Sequence, residues 1–227
     1  MKKYLNTLLM ASLLSTTLCA ELITTYFDKE GKRIKAQTNY ALGTRTDMKE
    51  GVKEGIEKVY YEIGQVAYVV NYVDGERDGI MTWYDKQGRL LSTTMYNKGK
   101  LEGKETSYYP NGKVKSTVTY INDKKEGYQK EYFDNGVLAL EVLYVGGKKE
   151  GVQKEYTYDG KLYTEVPYKN NYKEGTQKWY DKNGKVIKTD EFKHDVSMNF
   201  KKQLKANNKR VEKVINNIDF TPQKPRD

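Results

Sequence analysis

The side chains most used for nucleophilic, metal-binding or proton-transfer chemistry are scarce in this 227-residue chain, which has one histidine, His194, and one cysteine, Cys19. One histidine is too few for most histidine-based metal or triad sites, and one cysteine rules out a disulfide framework. Carboxylates are plentiful, 31 Asp and Glu, but they recur at regular positions, and no unique pair stands apart as a general acid and base. There is no zinc spacing, calcium loop or nucleophile elbow. The expectation is a protein that is not an enzyme and needs no metal or cofactor.

Composition narrows the class. The chain is 37% hydrophobic and 31% charged, with a mean hydropathy of −0.88. An average domain is about 45–50% apolar, so this chain is too polar for one thick aliphatic core. Low hydrophobicity with a net charge of +9 would ordinarily read as disorder. The 21 tyrosines argue otherwise and point to many shallow aromatic contacts.

Residues 1–20 read as a secretory signal: Lys2 and Lys3, an apolar run from Leu5 to Leu18, then Ala20 before the polar Glu21. Cleavage is expected after Ala20, which sends the protein to the periplasm, the outer envelope or the extracellular space. The run is shorter than the roughly 20 residues a membrane span needs. Cys19 stands where a bacterial lipoprotein would carry its lipid, but Thr16, Thr17 and Leu18 fit that signal poorly.

A 24-residue repeat organises the rest. Gly55, Gly79, Gly103, Gly127, Gly151 and Gly175 open six copies. Nine residues later stand Gly64, Gly88, Gly112, Gly136, Gly160 and Gly184. Five after each first glycine is a tyrosine: Tyr60, Tyr84, Tyr108, Tyr132, Tyr156 and Tyr180. A second aromatic position holds Tyr72, Tyr96, Tyr120, Tyr144, Tyr168 and Phe192. Three residues after it come Gly75, Gly99, Asp123, Gly147, Asn171 and Asp195. An acid precedes every first glycine: Glu54, Asp78, Glu102, Glu126, Glu150 and Glu174.

These positions predict β-hairpins. Tyr109-Pro110-Asn111-Gly112 suits a type I turn ending in a glycine bulge, because Pro fixes φ early and Gly accepts a positive φ. The Gly/Asn/Asp position marks a second turn, and His194 falls beside it as a turn residue. Two turns leave room for two strands of six or seven residues. Val66, Tyr68, Val70 and Tyr72 share one parity, so one face is expected half-buried and the other wet. The first glycines and the tyrosines are read as packing pairs in which a ring lies against bare backbone.

The units Tyr108-Tyr109-Pro110-Asn111-Gly112 and Lys124-Lys125-Glu126-Gly127 resemble MORN repeats, above all the bacterial variant with "Tyr-x-x-Asn-Gly" and "Lys-x-Glu-Gly". The resemblance covers about residues 51–195. It implies an all-β repeat: an elongated antiparallel hairpin meander forming a single-layer curved sheet. Family members are chiefly scaffolds for protein contacts, and binding of acidic lipid headgroups has been put forward for some. Others of the bacterial variant are described as antitoxins, which would act in the cytosol and conflict with an export signal. Residues 21–50 hold a degenerate half-repeat and linker, in which Phe27 and Gly31 match the tyrosine and second-glycine positions.

In the last copy Lys188 and Asp190 stand where others are less charged, which would discourage edge pairing. Residues 196–220, with Phe200, Leu204, Val211, Val214, Ile215 and Ile218, are expected to form an amphipathic capping helix, and 221–227 a loose tail. Residues 196–227 carry a net +5, against +2 for 21–195. The leading expectation is an exported, non-enzymatic protein-interaction scaffold with an unidentified protein partner. Glycan binding through tyrosines and anionic membrane binding through the basic helix are the alternatives. Nucleic acid is not expected, because the repeat region is nearly neutral.

Overall fold

The computed structural model describes residues 20–26, 34–41 and 52–207. Residues 1–19, with the expected signal and Cys19, lie outside these residues, as do Phe27, Gly31 and everything beyond Asn207.

The described residues fall into two compact units that divide within one strand. The first holds β1 (Ala20–Tyr26), β2 (Ile34–Ala41), β3 (Lys53–Tyr60), β4 (Val66–Val73), β5 (Glu76–Arg77), β6 (Gly79–Tyr84), β7 (Leu90–Asn97), β8 (Lys100–Leu101) and β9 (Gly103–Tyr108). The dividing strand is β10 (Val114–Ile121). The second holds β11 (Lys124–Tyr132), β12 (Leu138–Val145), β13 (Lys148–Tyr156), β14 (Leu162–Lys169), β15 (Tyr172–Lys173), β16 (Gly175–Tyr180), β17 (Val186–Lys193), β18 (Val196–Ser197) and the helix α1 (Met198–Asn207). Within each unit the strands pair antiparallel with their sequence neighbours, as the hairpin reading expects.

The hairpins from β3 and β4 onward close on type I turns with a glycine bulge. The Gly64, Gly88, Gly112, Gly136, Gly160 and Gly184 amides donate to the carbonyl three residues back at 2.8–3.0 Å. Their φ values run from 78° to 93°, which a side chain would strain. Turn side chains add bonds. The Asp85 carboxylate accepts from Gln87 and Arg89 N–H, both at 2.9 Å. After Tyr109 and Phe133 the asparagine two residues on accepts instead, Asn111 from Lys113 at 3.0 Å and Asn135 from Val137 at 2.9 Å.

The second turn has two left-handed residues in succession, not one. Asp74 (φ 53°) precedes Gly75 (84°), Asn122 (47°) precedes Asp123 (65°), and His194 (48°) precedes Asp195 (66°). That is the type I′ turn, whose twist matches the strands it joins. Lys98 takes the first of these positions with φ 47°, against the preference of L-residues.

The acids have a common task. Glu54, Asp78, Glu102, Glu126, Glu150 and Glu174 each accept the backbone N–H of the first turn residue 20 positions on, at 2.7–3.2 Å. The second turn residue donates its N–H to a carbonyl 22 positions back, from Gly75 to Lys53 through Asp195 to Lys173. Where that residue is not glycine its side chain returns a bond: Asp123, Asn171 and Asp195 accept from Leu101, Lys149 and Lys173 N–H at 2.8, 2.7 and 2.6 Å.

The first glycines do face aromatics across the hairpin: Gly55 opposite Tyr72, Gly79 opposite Tyr96, Gly127 opposite Tyr144, Gly151 opposite Tyr168 and Gly175 opposite Phe192. The expected reason for glycine is corrected, however. A Cβ at Gly79, Gly127 or Gly151 would meet nothing within 4 Å. What requires glycine is φ, which spans 72° to 105° in this series. Gly103 and Gly175 are also crowded, by Met95 and Pro167 and not by an aromatic ring.

At the N-terminal end β1 and β2 pair antiparallel with a register shift at Tyr26, matching the shift at Tyr60 in β3–β4. Tyr26, and not Phe27, therefore occupies the tyrosine position. At the other end Asp190 has a different use from the expected edge guard. Its Oδ2 accepts the Ser197 hydroxyl at 2.7 Å, while Ser197 Oγ accepts the Phe200 N–H at 3.1 Å and caps α1. Asn199 donates to the Thr189 carbonyl at 3.2 Å. Phe200, expected on the packing face of the helix, is 59% exposed, so polar contacts anchor the start of α1.

Gly151→Ala tests the backbone argument, since φ there is 72° and the space is open. It should lower stability by about 1 kcal/mol, read as a fall in the urea midpoint, and Gly151→Asn should cost less. An unchanged midpoint in Gly151→Ala would mean that φ does not select glycine.

Candidate functional site

The candidate site is a surface, built from the two faces of the paired strands. One face carries the core. Val70, Val118, Val142 and Val166 are buried at the same repeat position, with Thr94 in the second copy. Opposite them in the registers stand Glu57, Met81, Gln129 and Gln153. No thick layer is needed, because the second aromatic series and a series of cations stand beside the valines. Lys53, Arg77, Lys125, Lys149 and Lys173 sit over Tyr72, Tyr96, Tyr144, Tyr168 and Phe192, with 4.6–5.0 Å between charge and ring centroid. The alkyl stems and rings of such pairs suit a half-buried surface, and each contact adds about 0.5–1 kcal/mol. The corresponding residue in the third copy is Leu101, which ends the cation series in the first unit.

Electrostatics on this face follow burial. Burial pushes the Tyr68, Tyr144 and Tyr168 hydroxyls up. Burial holds Lys149 below the usual lysine range, and the Lys125 and Lys173 charges add to that effect. Lys53 goes the other way. Burial alone would lower it, but the Glu57 carboxylate 2.7 Å away outweighs burial and raises it. Glu57 Oε1 also accepts from Thr38 Oγ1 at 2.8 Å, while its Oε2 is buried without a partner.

The other face differs from the wet surface expected. It exposes large apolar residues at one repeat position: Ile56 (51%) and Ile80 (60%) in the first unit, Tyr128 (57%) and Val152 (43%) in the second. Opposite Ile80 stands Met95, 47% exposed. Alternation alone did not reveal this, because threonines, lysines and glutamates share the same parity. The signal that could have found it is the 24-residue spacing of Ile56, Ile80, Tyr128 and Val152, with Lys104 and Thr176 at the same position in the other two copies.

The first tyrosine series lies with these residues and is tied to the preceding strand. Tyr60 donates its hydroxyl to Gln37 at 2.8 Å, Tyr156 to Glu141 at 3.3 Å and Tyr180 to Glu165 at 2.6 Å. Lys130 and Lys154 approach Glu141 at 3.9 Å, contacts that contribute little at a surface. His194 is where the spacing puts it, in a turn, with Nδ1 3.6 Å from Glu174. Among the described residues no three His, Cys, Asp or Glu side chains gather to hold a metal ion. None of the helices described is long and apolar enough to cross a membrane.

The Tyr180 bond is open to direct measurement. Donation to the Glu165 carboxylate, with smaller contributions from burial and that charge, pushes the Tyr180 hydroxyl up to about 12. Stability from this bond is present below the ordinary tyrosine range and is lost as pH rises through about 12. Ultraviolet titration should show a tyrosine ionising later than the others, and Glu165→Gln should return it toward the ordinary range. A titration unchanged by that substitution would refute the assignment.

Comparison with known proteins follows the same period. No curated protein sequence matches the chain. Among solved structures, similarity extends to the GtfA/B complex bound to UDP and GlcNAc, at 17% identity over 48% of this chain and 21% of that one, with a TM-score of 0.23. TarM matches at 10% identity over 56% of this chain and 20% of its own, with a TM-score of 0.26. A porin-like protein from Bacteroides uniformis matches at 13% identity over 79% of this chain and 86% of its own, with a TM-score of 0.22. The chain thus spans about a fifth of the length of the first two, and at these scores none of the three carries an argument. The family profile described as "MORN repeat variant" matches residues 53–74, 101–122, 125–145, 149–170 and 173–194. Five matches in phase with the hairpins, each ending at or within one residue of a type I′ turn, establish that the chain is a MORN repeat protein.

Proposed function

We propose that this MORN repeat protein is an exported, non-enzymatic scaffold for protein contacts at the cell envelope or surface. The observation that carries the reading is the exposed apolar series Ile56, Ile80, Tyr128 and Val152. The residues that define the repeat are used internally. The glycines set turns and bulges, the acids hold turn amides, and the second aromatics lie under cations. The side chains at this exposed position take no part in those tasks and vary from copy to copy. Large apolar side chains exposed at one repeat position within each unit, Ile56 with Ile80 and Tyr128 with Val152, suit contact with a partner. Export rests on the sequence of residues 1–20, with its charged start, apolar run and small Ala20.

Proximity crosslinking in the native cell, combined with fractionation, tests both parts. The protein should be recovered outside the cytoplasm, in covalent adducts with a small set of proteins. Ile80→Asp with Val152→Asp should deplete those adducts. Recovery only in the cytoplasm would overturn export. Adducts unaffected by the double substitution would overturn the role of this face.

A further inference from the structure

The cations of the second unit differ from the first cation of the chain in one respect. Lys53 donates to a carboxylate, Glu57 Oε1, at 2.7 Å. Its counterparts Lys125 and Lys149 donate to amides, Gln129 at 2.8 Å and Gln153 at 2.9 Å. Those amides pass the contact on to Glu131 and Glu155, at 2.8 and 2.7 Å. The negative charge is therefore one side chain further away than at Lys53.

Lys125, Lys149 and Lys173 rest on Tyr144, Tyr168 and Phe192 at 4.9–5.0 Å. The rings fix their places from one side. An ammonium has three donors, and each amide takes one, so Lys125 and Lys149 keep N–H groups to offer. Lys149 feels both flanking lysines, so the row holds like charges in mutual reach. The three recur every 24 residues, that is every two strands, or about 9.6 Å at the usual strand spacing.

We infer that this row binds an acidic peptide segment in the polyproline II conformation, with a carboxylate at every third residue. That helix rises about 3.1 Å per residue with three residues per turn, so every third side chain returns to one face after about 9.3 Å. An extended strand brings its side chains back to one face after about 6.7 Å. An α-helix does so after seven residues, about 10.5 Å, and falls out of step sooner. The sign of the ligand follows from the row's charge. Glu131 and Glu155, already engaged by the glutamines, limit the affinity without reversing it. The inference rests on the reading of this protein as an interaction scaffold, and it names the chemistry of one class of partner on the face opposite the apolar series.

The test is fluorescence anisotropy with the whole chain and a labelled oligomer of Glu-Pro-Pro. Binding should weaken with salt and be about tenfold weaker for an oligomer of Glu-Pro-Pro-Pro with the same number of charges. Lys125→Gln, Lys149→Gln and Lys173→Gln together should weaken it about tenfold or more. Lys149→Gln alone should weaken it measurably, and it serves if the triple variant does not fold. Arg77→Gln, in the first unit, should leave it unchanged. Equal binding of the two spacings would overturn the inference, as would binding indifferent to Lys149→Gln. Binding of phosphatidylglycerol vesicles with no binding of the peptide would overturn it in favour of a membrane surface. A failed peptide test alongside crosslinked partners in the cell would remove this inference and leave the scaffold reading standing.

Discussion

A sheet that packs nothing thick against its core must cover its apolar stripe with its own side chains. This constraint explains most of the residue choices here. Val70, Val142 and Val166 are nearly inaccessible, yet the side chains described beside them are tyrosines, glutamines and lysines. Long amphipathic side chains can do this because the stem and ring are apolar while the tip stays in water. The same constraint accounts for the composition. A single valine or threonine in most hairpins, shielded in most of them by a cation on a ring, needs far fewer aliphatic residues than a layered core.

Covering the stripe in this way demands strict placement, and the turns supply it. A type I′ turn with two left-handed residues fixes one end of each hairpin, and a type I turn with a glycine bulge fixes the other. The acid before each first glycine then ties a turn amide 20 residues ahead. Register errors would move every side chain to the wrong face. The paired turns and the acid bond together make such errors costly at each step.

The hairpins, both turns and the family were legible in the sequence because they depend on residues with few substitutes. Glycine at positive φ, proline early in a turn and asparagine beside it have local causes. What was not legible depended on neighbours. The task of Glu54 and its counterparts needs the fold, since its acceptor-to-donor span of 20 residues has no local signature. The reason for the first glycines was misread because sequence cannot separate a close approach from a positive φ. The exposed apolar series was hidden among threonines and lysines of the same parity. Tyr26 rather than Phe27 takes the tyrosine position because seven residues join β1 to β2, where the later hairpins use five.

The bond from each acid to the next turn also determines how such a chain can change in length. Every copy gives its neighbour the same carboxylate and takes the same amide in return. Removing or duplicating 24 residues inside the array would rejoin like with like, leaving no carboxylate or amide stranded at the junction. A number that is not a multiple of 24 would set an acid against a strand and a turn against nothing. Copy number is therefore the variable that this architecture leaves open to evolution, while the length of the copy is held fixed.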